Sequence, residues 1–442
     1  MKEAFLQRMQ ELLKEEYPQF VESLMKPRFR GVRKHPLKLS QETLHALIPY
    51  PLKRAPFCAD MYYLPQGVEA LGNHPLHISG AIYIQEPSAS APAEVLGVEA
   101  GDWVLDLCAA PGGKSTQIAG KLANSGLLVA NEYDAKRAHI LLSNMERMGF
   151  GETIITNAHP KEFAQQCAGW FDKVLVDAPC SGEGMMKKHD AAGADWSIAH
   201  VNACADRQVQ ILISAIQALK ENGVLVYSTC TYAPEENEMV VARILKQCPD
   251  LKQEEITVSF GRIGVPCAGM DHTKVRRIFP MDGGEGHFIA KFRKCGKTKQ
   301  SRIRGKKPSI LTTAQKQQLQ TILNMPTGYY QLDQDQLYFR LQPFIELGSI
   351  RILRQGIRCG TFIKQRFEPH QHLFTAVALH DAFHQYYECD EAHLQQFLRG
   401  EELDVKGYHG YTAITWQSHP IGFGKGDGTH IKNKYPKGLR HR

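Results

Sequence analysis

The chain of 442 residues lacks several patterns that would assign it to a common class of protein. Its 11 cysteines form neither a Cys-x-x-Cys pair nor a Cys/His cluster at the spacing of a zinc site, so we expect no bound metal. Cysteines without an evident pairing suit a reducing compartment, which favours a cytoplasmic location. No apolar run has the length of a signal-peptide core or a membrane-spanning helix, so we expect no membrane partner.

Internal repeats and long low-complexity tracts are also missing, and the length favours two or three globular domains. Residues 1–295 contain 32 Lys and Arg against 34 Asp and Glu, whereas residues 296–442 contain 21 against 12. A basic surplus in the C-terminal third predicts that an acidic polymer binds there, so this region is expected to supply affinity and not chemistry. A solvated basic surface without a partner explains the surplus equally well. Nothing in the sequence implies an oligomeric state.

The middle of the chain has the pattern of an α/β domain. Short runs rich in Val and Leu alternate there with helical stretches such as 135–148 and 202–220. Continuous apolar strands between helices predict a parallel sheet covered on both faces, in a Rossmann-like doubly wound layout. The runs are Val104–Leu107, Leu127–Ala130, Val174–Asp177, Val224–Ser228 and Phe288–Phe292.

The flanking segments predict smaller modules. Residues 4–24 have the apolar spacing of one or two helices and precede a basic stretch, Lys26–Lys38. Near the C-terminus, helices are expected at 372–384 and 391–399, followed by a glycine-rich β segment. The boundaries that we predict are 1–78 for an N-terminal α+β module that binds the same acidic polymer, 79–295 for the α/β domain, 296–311 for a basic linker and 312–442 for one or two small α+β or β modules.

A glycine-rich turn joins the first strand of the α/β domain to a helix, and it matches neither a G-x-x-x-x-G-K phosphate loop nor a G-x-G-x-x-G motif. Its glycines let the backbone approach a ligand, and the helix N-terminus offers free N–H groups to an anion. Glu132, which ends the second strand, is placed to bind ribose hydroxyls, and Asn157 to line an adenine. S-adenosyl-L-methionine fits this set, although a βα turn without a ligand would share the glycines. The turn consists of Asp106, Leu107, Cys108, Ala109, Ala110, Pro111, Gly112, Gly113 and Lys114.

Two further strand ends carry a cysteine, Cys180 and Cys230. Ligands of a doubly wound sheet bind beyond the carboxyl ends of the strands, so both thiols are predicted to face one crevice. A thiolate that adds to carbon 6 of a cytosine makes carbon 5 nucleophilic enough to take a methyl group; a base then removes the carbon-5 proton and the thiol is eliminated. The addition needs an acid near N3, and Asp177 lies three residues before Cys180. A lone buried cysteine is usually a small hydrophobe, but two at strand ends beside a cofactor loop favour this chemistry.

Five motifs in the first 295 residues occur in the order typical of one enzyme family. Besides the glycine-rich turn they are Tyr83-Ile-Gln-Glu-Pro-Ser88, Asp177-Ala-Pro-Cys180-Ser-Gly-Glu-Gly184, Tyr227-Ser-Thr-Cys230-Thr231, and Arg277-Ile-Phe-Pro280 with Gly286-His-Phe288. They resemble the Fmu/Sun-type RNA (cytosine-5) methyltransferases. The resemblance implies an enzyme that makes 5-methylcytosine in RNA through a covalent cysteine–cytosine C6 adduct. It implies Cys230 as the nucleophile, Cys180 as the residue that assists release, and Lys114 and Asp177 as contacts to the base and the cofactor. Cys108 is assigned to packing or a backbone contact.

Within that family the chain is similar to the ribosomal small-subunit methyltransferase F (RsmF-like) group, on Arg8-Met9, Asn131-Glu132-Tyr133 and the ending Lys432–Arg440. This implies 16S ribosomal RNA or the small ribosomal subunit as partner, and a PUA-like RNA-binding module toward the C-terminus. Two positions depart from the family. His35 stands where the N-terminal module commonly has Asn, and His159-Pro160 where some relatives have Asp, so the adenine contact is assigned to Asn157.

Other substrates stay open at this point. The family includes enzymes that act on transfer RNA, and phosphate contacts alone do not separate RNA from DNA. An alternative of another class is a ribosome-assembly factor that binds RNA without methylating it. Loss of a strand-end cysteine or of Asp177 would favour that reading, but all three are present. Methylation of a base amino group is disfavoured, because Asp-Ala-Pro-Cys stands where an Asn-Pro-Pro-aromatic strand end is expected.

Overall fold

The N-terminal module combines helices with a small antiparallel sheet. Its helices are α1 (Glu3–Leu13), α2 (Tyr17–Met25), α3 (Gln41–Leu47) and α4 (Pro75–Ile78), and its strands are β1 (Gly31–Lys34), β2 (Lys53–Arg54), β3 (Met61–Tyr63) and β4 (Ile82–Gln85). In this computed structural model, which describes residues 3–68, 71–186 and 196–441, the sheet order is β2-β3-β1-β4. Phe5 and Met9 recur at helical spacing and pack against Phe20, which confirms the predicted helices.

The α/β domain is built on a sheet with a parallel centre. Its strands are β5 (Trp103–Asp106), β6 (Leu127–Asn131), β7 (Thr153–Thr156), β8 (Phe171–Asp177), β9 (Leu219–Thr229), β10 (Leu251–Glu254), β11 (Val275–Ile278) and β12 (His287–Lys294). Its helices are α5 (Ala91–Val95), α6 (Gly113–Leu122), α7 (Ala135–Met148), α8 (Pro160–Gln166), α9 (Ile198–Ala218) and α10 (Glu238–Gln247). The strand order is β10-β12-β9-β8-β5-β6-β7, with β11 beside β12. The predicted apolar runs form the central strands, so the doubly wound fold is confirmed.

The C-terminal region holds three small sheets. Its strands are β13 (Arg304–Gly305), β14 (Tyr329–Asp333), β15 (Gln336–Arg340), β16 (Ile345–Glu346), β17 (Ile352–Gln355), β18 (Ile357–Ile363), β19 (Arg366–Pro369), β20 (Tyr386–Glu388), β21 (His409–Trp416), β22 (His419–Asp427) and β23 (Ile431–Asn433). Its helices are α11 (Thr313–Gln320), α12 (Gln371–Thr375) and α13 (Glu391–Arg399). The sheets have the orders β13-β16, β14-β15-β18-β19 and β20-β21-β22-β23.

The helix predicted over 372–384 is wrong beyond Thr375, where α12 ends. The ring of Phe374 lies 4.5 Å from that of Phe383 and 4.4 Å from that of Phe423, centroid to centroid. Both contacts gather aromatic side chains into one core, which a continuous helix would have spread along its length. Tertiary packing therefore overrides the local periodicity here.

The C-terminal region is integrated with the rest of the chain and is not merely linked to it. Strand β17 pairs antiparallel with β7 and extends the sheet of the α/β domain beyond the predicted boundary at 295. Val32 and Leu44 of the N-terminal module share a buried core with Leu394 and Phe397 of α13. Even the predicted linker is anchored, because the indole nitrogen of Trp170 donates to the carbonyl of Ser301 over 3.0 Å.

Two structural features are absent from residues 3–68, 71–186 and 196–441. None of the helices in these ranges is both long and apolar enough to cross a membrane. The same ranges contain no group of three or more His, Cys, Asp and Glu placed to hold a metal ion.

Candidate active site

The glycine-rich turn is held open at the start of α6 by its own backbone. Gly112 has a φ of +113°, a conformation that a side chain would strain, and its carbonyl accepts from the amide of Thr116 at 2.9 Å. Below it, Asp106 is fully buried and accepts a 2.6 Å hydrogen bond from the hydroxyl of Ser115 through Oδ2. Its Oδ1 accepts none from the described residues. Burial, only partly opposed by Ser115, raises the pKa of Asp106 to about 7.

Asn131 joins the ends of three neighbouring strands below the site. Its Nδ2 donates to the carbonyls of Leu107, at 3.1 Å, and Ala158, at 3.0 Å. Its Oδ1 accepts from the hydroxyl of Thr156 at 2.9 Å. This buried amide satisfies backbone groups that leave the ladder where the strands end, so the loops above start from fixed positions.

Glu132 is buried, and one of its oxygens is left for a ligand. Oε1 accepts from the amide of Asp134 at 3.0 Å. Oε2 lies 3.3 Å from Nη1 of Arg137, yet it accepts no hydrogen bond of good geometry from the described residues. Arg137 in turn donates to the carbonyl of Ala110 at 2.8 Å and so ties α7 to the glycine-rich turn. A buried carboxylate oxygen without a donor fits a ribose hydroxyl, as the sequence predicts.

Asn157 occupies a different position from the one expected. Its Nδ2 donates to the backbone carbonyls of Glu132 and Tyr133, at 2.9 and 2.8 Å, and the residue is not part of the cavity lining. It supports the loop that carries Glu132 from behind. The ring of His159 lines the cavity and packs edge-on against Tyr133, with 5.3 Å between the ring centroids. The sequence analysis had assigned the adenine contact to Asn157 and not to His159.

A cavity of about 680 Å³ lies at the carboxyl ends of these strands. It brings together seven residues of the predicted turn and strand ends: Leu107, Cys108, Ala110, Glu132, Asp177, Cys180 and Cys230. Asp106, Ala109 and the run Pro111–Lys114 lie beneath or beside it and are not part of its lining. The sequence analysis did not single out Arg137, Arg207 and Gln210, which also line the cavity; they lie on helices, where no strand-end signal marks them.

The two strand-end thiols meet in this cavity. Sγ of Cys180 lies 3.3 Å from Sγ of Cys230, close enough for one thiol to donate a hydrogen bond to the other. Hydrogen bonding to Cys230, reinforced by burial, raises the pKa of Cys180 well above its usual value. Cys180 is therefore a protonated donor beside Cys230 in the resting site.

A lysine–aspartate pair stands next to the thiols. Nζ of Lys114 lies 2.7 Å from Oδ2 of Asp177, and the hydroxyl of Ser228 donates to Oδ1 at 2.6 Å. Burial alone would raise the pKa of Asp177, but the charge of Lys114 and the hydrogen bonds from Lys114 and Ser228 together hold that pKa below its usual value. Burial likewise opposes the charge on Lys114, yet Asp177 raises the pKa of Lys114 overall. Both groups are ionised, so the expectation that Asp177 supplies an acid does not fit the resting site.

Buried acids hold the loops that carry the two thiols. Glu236 accepts from the amide of Ser181 at 2.9 Å and from the side chain of Gln208 at 2.8 Å. Glu183 accepts from the hydroxyl of Thr231 and the amide of Tyr232, both at 2.9 Å. Each loop is thus fixed by a buried carboxyl acceptor, which favours a constant separation of the sulfurs.

His287 completes the surroundings of Cys230. Strand β12 pairs with β9 so that Phe288 lies opposite Thr229, which places His287 and Cys230 side by side at the end of the ladder. The hydroxyl of Ser88 donates to Glu86 at 2.6 Å and lies 3.0 Å from Nδ1 of His287. Since the one hydroxyl proton of Ser88 is engaged, Nδ1 carries the proton and Nε2 is an acceptor. Burial lowers the pKa of His287 to about 3, so the ring is neutral.

The doubly wound sheet, the glycine-rich turn and the acceptor on Glu132 together define the chain as an S-adenosyl-L-methionine-dependent methyltransferase. Solved structures agree with this class. The crystal structure of a methyltransferase homologue from Pyrococcus horikoshii matches with a TM-score of 0.60 at 30% identity, over 66% of this chain and 95% of that one.

Sequence comparisons identify the family. Residues 93–293 match the 16S rRNA methyltransferase RsmB/F family, and three flanking regions match domains described for RsmF. These are its N-terminal domain at 1–87, its first C-terminal domain at 315–379 and its PUA domain at 385–441.

Whole-length relatives agree. The ribosomal RNA small subunit methyltransferase F of Erwinia tasmaniensis is 32% identical over 99% of this chain and 96% of its own length. That of Psychromonas ingrahamii is 31% identical over 95% of this chain and 92% of its own length. The chain therefore belongs to the RsmB/F family of RNA methyltransferases, and the predicted PUA-like module is confirmed.

Proposed function

We propose that this enzyme methylates carbon 5 of a cytosine in 16S ribosomal RNA, in the cytoplasm, with Cys230 as the nucleophile. The observation that carries the chemistry is the pair of sulfurs, 3.3 Å apart, in the same cavity as the ribose acceptor Glu132. The description of the matched family, together with the names of the small-subunit relatives, supports 16S ribosomal RNA as the substrate.

The cavity residues fit the cofactor. Glu132 would bind the ribose through Oε2, and the turn that ends at Gly113 would hold the amino-acid end against the start of α6. Tyr133 and His159 line the cavity with Glu132, and their rings pack edge-on, so we assign the adenine to that aromatic pair. S-adenosyl-L-methionine supplies the methyl group when it is bound.

In the first step, the thiolate of Cys230 adds to carbon 6 of the cytosine. Negative charge then develops on N3 and O2 of the ring, and the ammonium of Lys114, which is held by the cavity residue Asp177, would stabilise it. Because Asp177 is ionised, it acts as an acceptor, which suits the exocyclic amino group of cytosine and not the carbonyl of uracil. Carbon 5 can then attack the methyl group.

In the second step, the carbon-5 proton leaves and the bond between Cys230 and carbon 6 breaks. Cys180 is protonated at rest because it hydrogen-bonds to Cys230. Once the sulfur of Cys230 is bonded to the base, that contact no longer favours the protonated form. Cys180 can then lose its proton to solvent and accept the one on carbon 5. The spacing of the thiols thus orders the steps, with Cys180 becoming a base only after the adduct has formed.

Two alanine variants test these roles. Cys230→Ala is expected to abolish both methylation and adduct formation, whereas Cys180→Ala should form the adduct and fail to release it. Labelled 16S ribosomal RNA on a denaturing gel detects the adduct, and 5-methylcytosine mapping detects the product. Cys295→Ala, at an exposed thiol, is the matched control.

Two outcomes would contradict the proposal separately. An adduct that accumulates in Cys230→Ala would reverse the roles of the thiols. Faster methylation of transfer RNA than of 16S ribosomal RNA or small subunits would refute the substrate while leaving the chemistry intact. The target base has to leave its stack to reach the thiols, so an unpaired cytosine should react faster than the same cytosine in a helix.

A further inference from the structure

A second and larger cavity, of about 970 Å³, lies where all parts of the chain meet. We call it the junction cavity. Its lining comes from α4 of the N-terminal module, the end of α7, the segment around α12, and the C-terminal segment after Tyr435. Nothing in the methyltransferase chemistry uses it.

Two histidines that line the junction cavity each have a hydrogen-bond donor at Nε2. Nδ1 of His372 accepts from the amide of Arg358, and Nδ1 of His370 accepts from the amide of His372, both at 3.2 Å. A nitrogen that accepts a hydrogen bond carries no proton, so Nε2 bears the proton in both neutral rings. His372 is 1% exposed, and its Nε2 has no partner among the described residues. A buried N–H that lacks an acceptor, on a residue of the cavity wall, would be satisfied by a ligand with acceptor oxygens.

Two arginines line the same cavity without a carboxylate partner in the described part of the chain. Arg147 donates to the carbonyl of His77 at 2.7 Å and lies over the ring of Tyr83. Arg440 makes only long contacts, both of 3.3 Å, to the carbonyl of Tyr435. Burial lowers the pKa of Arg147 to about 10, as expected for a cation without a counter-ion.

The acids near the junction cavity are already paired. Glu146, which lines it, lies 2.8 Å from the guanidinium of the buried Arg354. Glu401 pairs with Arg399 at 2.6 Å, so that charge is balanced as well. The junction cavity is therefore lined by two guanidinium groups without a paired carboxylate, those of Arg147 and Arg440, and by two neutral imidazole donors.

We propose that the junction cavity binds a phosphate group of the RNA backbone. This rests on the proposed function for the identity of the polymer. Arg147 and Arg440 would supply the charge, and the Nε2–H groups of His370 and His372 would supply neutral donors to the phosphate oxygens.

The surroundings favour a polymer over a free anion. Lys434 and Lys437, which flank the lining residues Tyr435 and Pro436 in sequence, are exposed, and no acid occurs after Asp427. Arg137 lines the cofactor cavity and Arg147 the junction cavity, ten residues along α7, so the two sites are about 15 Å apart along that helix. A stacked strand crosses that distance in about four or five phosphates. The junction cavity would therefore hold RNA that flanks the target cytosine.

Binding of a labelled single-stranded RNA to the full-length protein, without cofactor and at several salt concentrations, tests this. Arg440→Gln should weaken binding about fivefold at 0.1 M salt and reduce the salt slope by about 0.7, the loss of one phosphate contact. Arg440→Lys should keep the slope. His370→Asn, which preserves the cap on α12, should weaken binding and leave the slope unchanged, because it removes a neutral donor. Arg366→Gln, at an exposed arginine paired with Glu368, is the control.

Three outcomes separate RNA binding at the junction cavity from its alternatives. If Arg440→Gln binds RNA like Arg366→Gln while thermal melts show both folded, the proposal is overturned. If inorganic phosphate raises the melting temperature in an Arg440-dependent manner while RNA affinity is unchanged, the cavity holds a free anion and the RNA assignment is wrong. Because the readout is binding, a wild-type protein that binds RNA through Arg440 but yields no 5-methylcytosine would refute the proposed function and leave this site standing.

Discussion

A buried ion pair joins the C-terminal region to the α/β domain, and breaking it is expected to destabilise the whole chain. Arg340 and Glu152 are 2% and 5% exposed, with Nη2 2.9 Å from Oε2. The amide of Leu341 donates to the other oxygen of Glu152 at 2.7 Å, and Nη1 of Arg340 donates to the carbonyl of Pro343 at 3.0 Å. Replacing Arg340 by Met removes the counter-ion and leaves a buried carboxylate with one backbone donor.

The magnitude follows from burial. Removing one partner of a buried pair costs about 3–5 kcal/mol, because the remaining charge stays desolvated. For a cooperative unit of roughly 150–250 residues, 1 kcal/mol shifts the melting temperature by about 2–4 °C, so Arg340→Met should lower it by about 6–20 °C. The double variant Arg340→Met, Glu152→Leu should recover most of this loss, since neither charge is then buried.

Thermal melts followed by tryptophan fluorescence measure the effect where it matters, because Trp103 and Trp170 pack together in the α/β domain. Arg243→Met breaks an exposed pair with Asp206 and should change stability by less than about 1 kcal/mol. An Arg340→Met protein that melts like Arg243→Met would refute the view that the C-terminal region supports the α/β domain.

Three further predictions concern the site. Glu132→Gln should weaken S-adenosyl-L-methionine roughly ten- to a hundredfold, by loss of charge-assisted hydrogen bonds to the ribose, and unchanged affinity in calorimetry would rule the contact out. Asp106 has a folded pKa of about 7, raised above its unfolded value by burial, so its contribution to stability falls as pH rises from about 4 to 7. Asp106→Asn should therefore raise the melting temperature more at pH 8 than at pH 5, and a gain independent of pH would contradict this. His287→Leu should lower kcat/KM about tenfold with cofactor affinity unchanged, by removing an acceptor beside Cys230, and His287→Gln should retain part of the activity.

The sequence predicts those features of the fold and site that depend on local pattern. Alternating apolar runs and helices encode the parallel sheet, and residues at the carboxyl ends of its strands meet at one edge whatever the loops do. That rule brings Glu132, Asp177, Cys180 and Cys230 into one cavity. Asn157 also follows a strand end, but it does not line the cavity. Its side-chain amide instead donates to the backbone carbonyls of Glu132 and Tyr133.

Local sequence patterns do not predict which segments far apart in the chain pack or pair with each other. Nothing in Ile352–Gln355 indicates that this strand pairs with β7 rather than within its own module. The sequence likewise does not predict the core that the N-terminal and C-terminal modules share. An apolar pattern shows that a face is covered but does not identify the segment that covers it. The donors of the junction cavity, Arg147, His370, His372 and Arg440, come from three separate segments and carry no common motif.

These long-range contacts change how RNA affinity can be assigned to the C-terminal region. Its basic surplus suggests deleting residues 296–442 and measuring what binding is lost. The deletion would also remove β17 from the sheet and expose the core shared by Leu44 and Phe397. It would leave the buried carboxylate of Glu152 without its counter-ion, Arg340. Lost affinity would then report unfolding as readily as lost contacts. Substitutions of exposed cations such as Lys434 and Lys437, which leave every buried contact in place, separate the two effects because only phosphate contacts alter the salt slope.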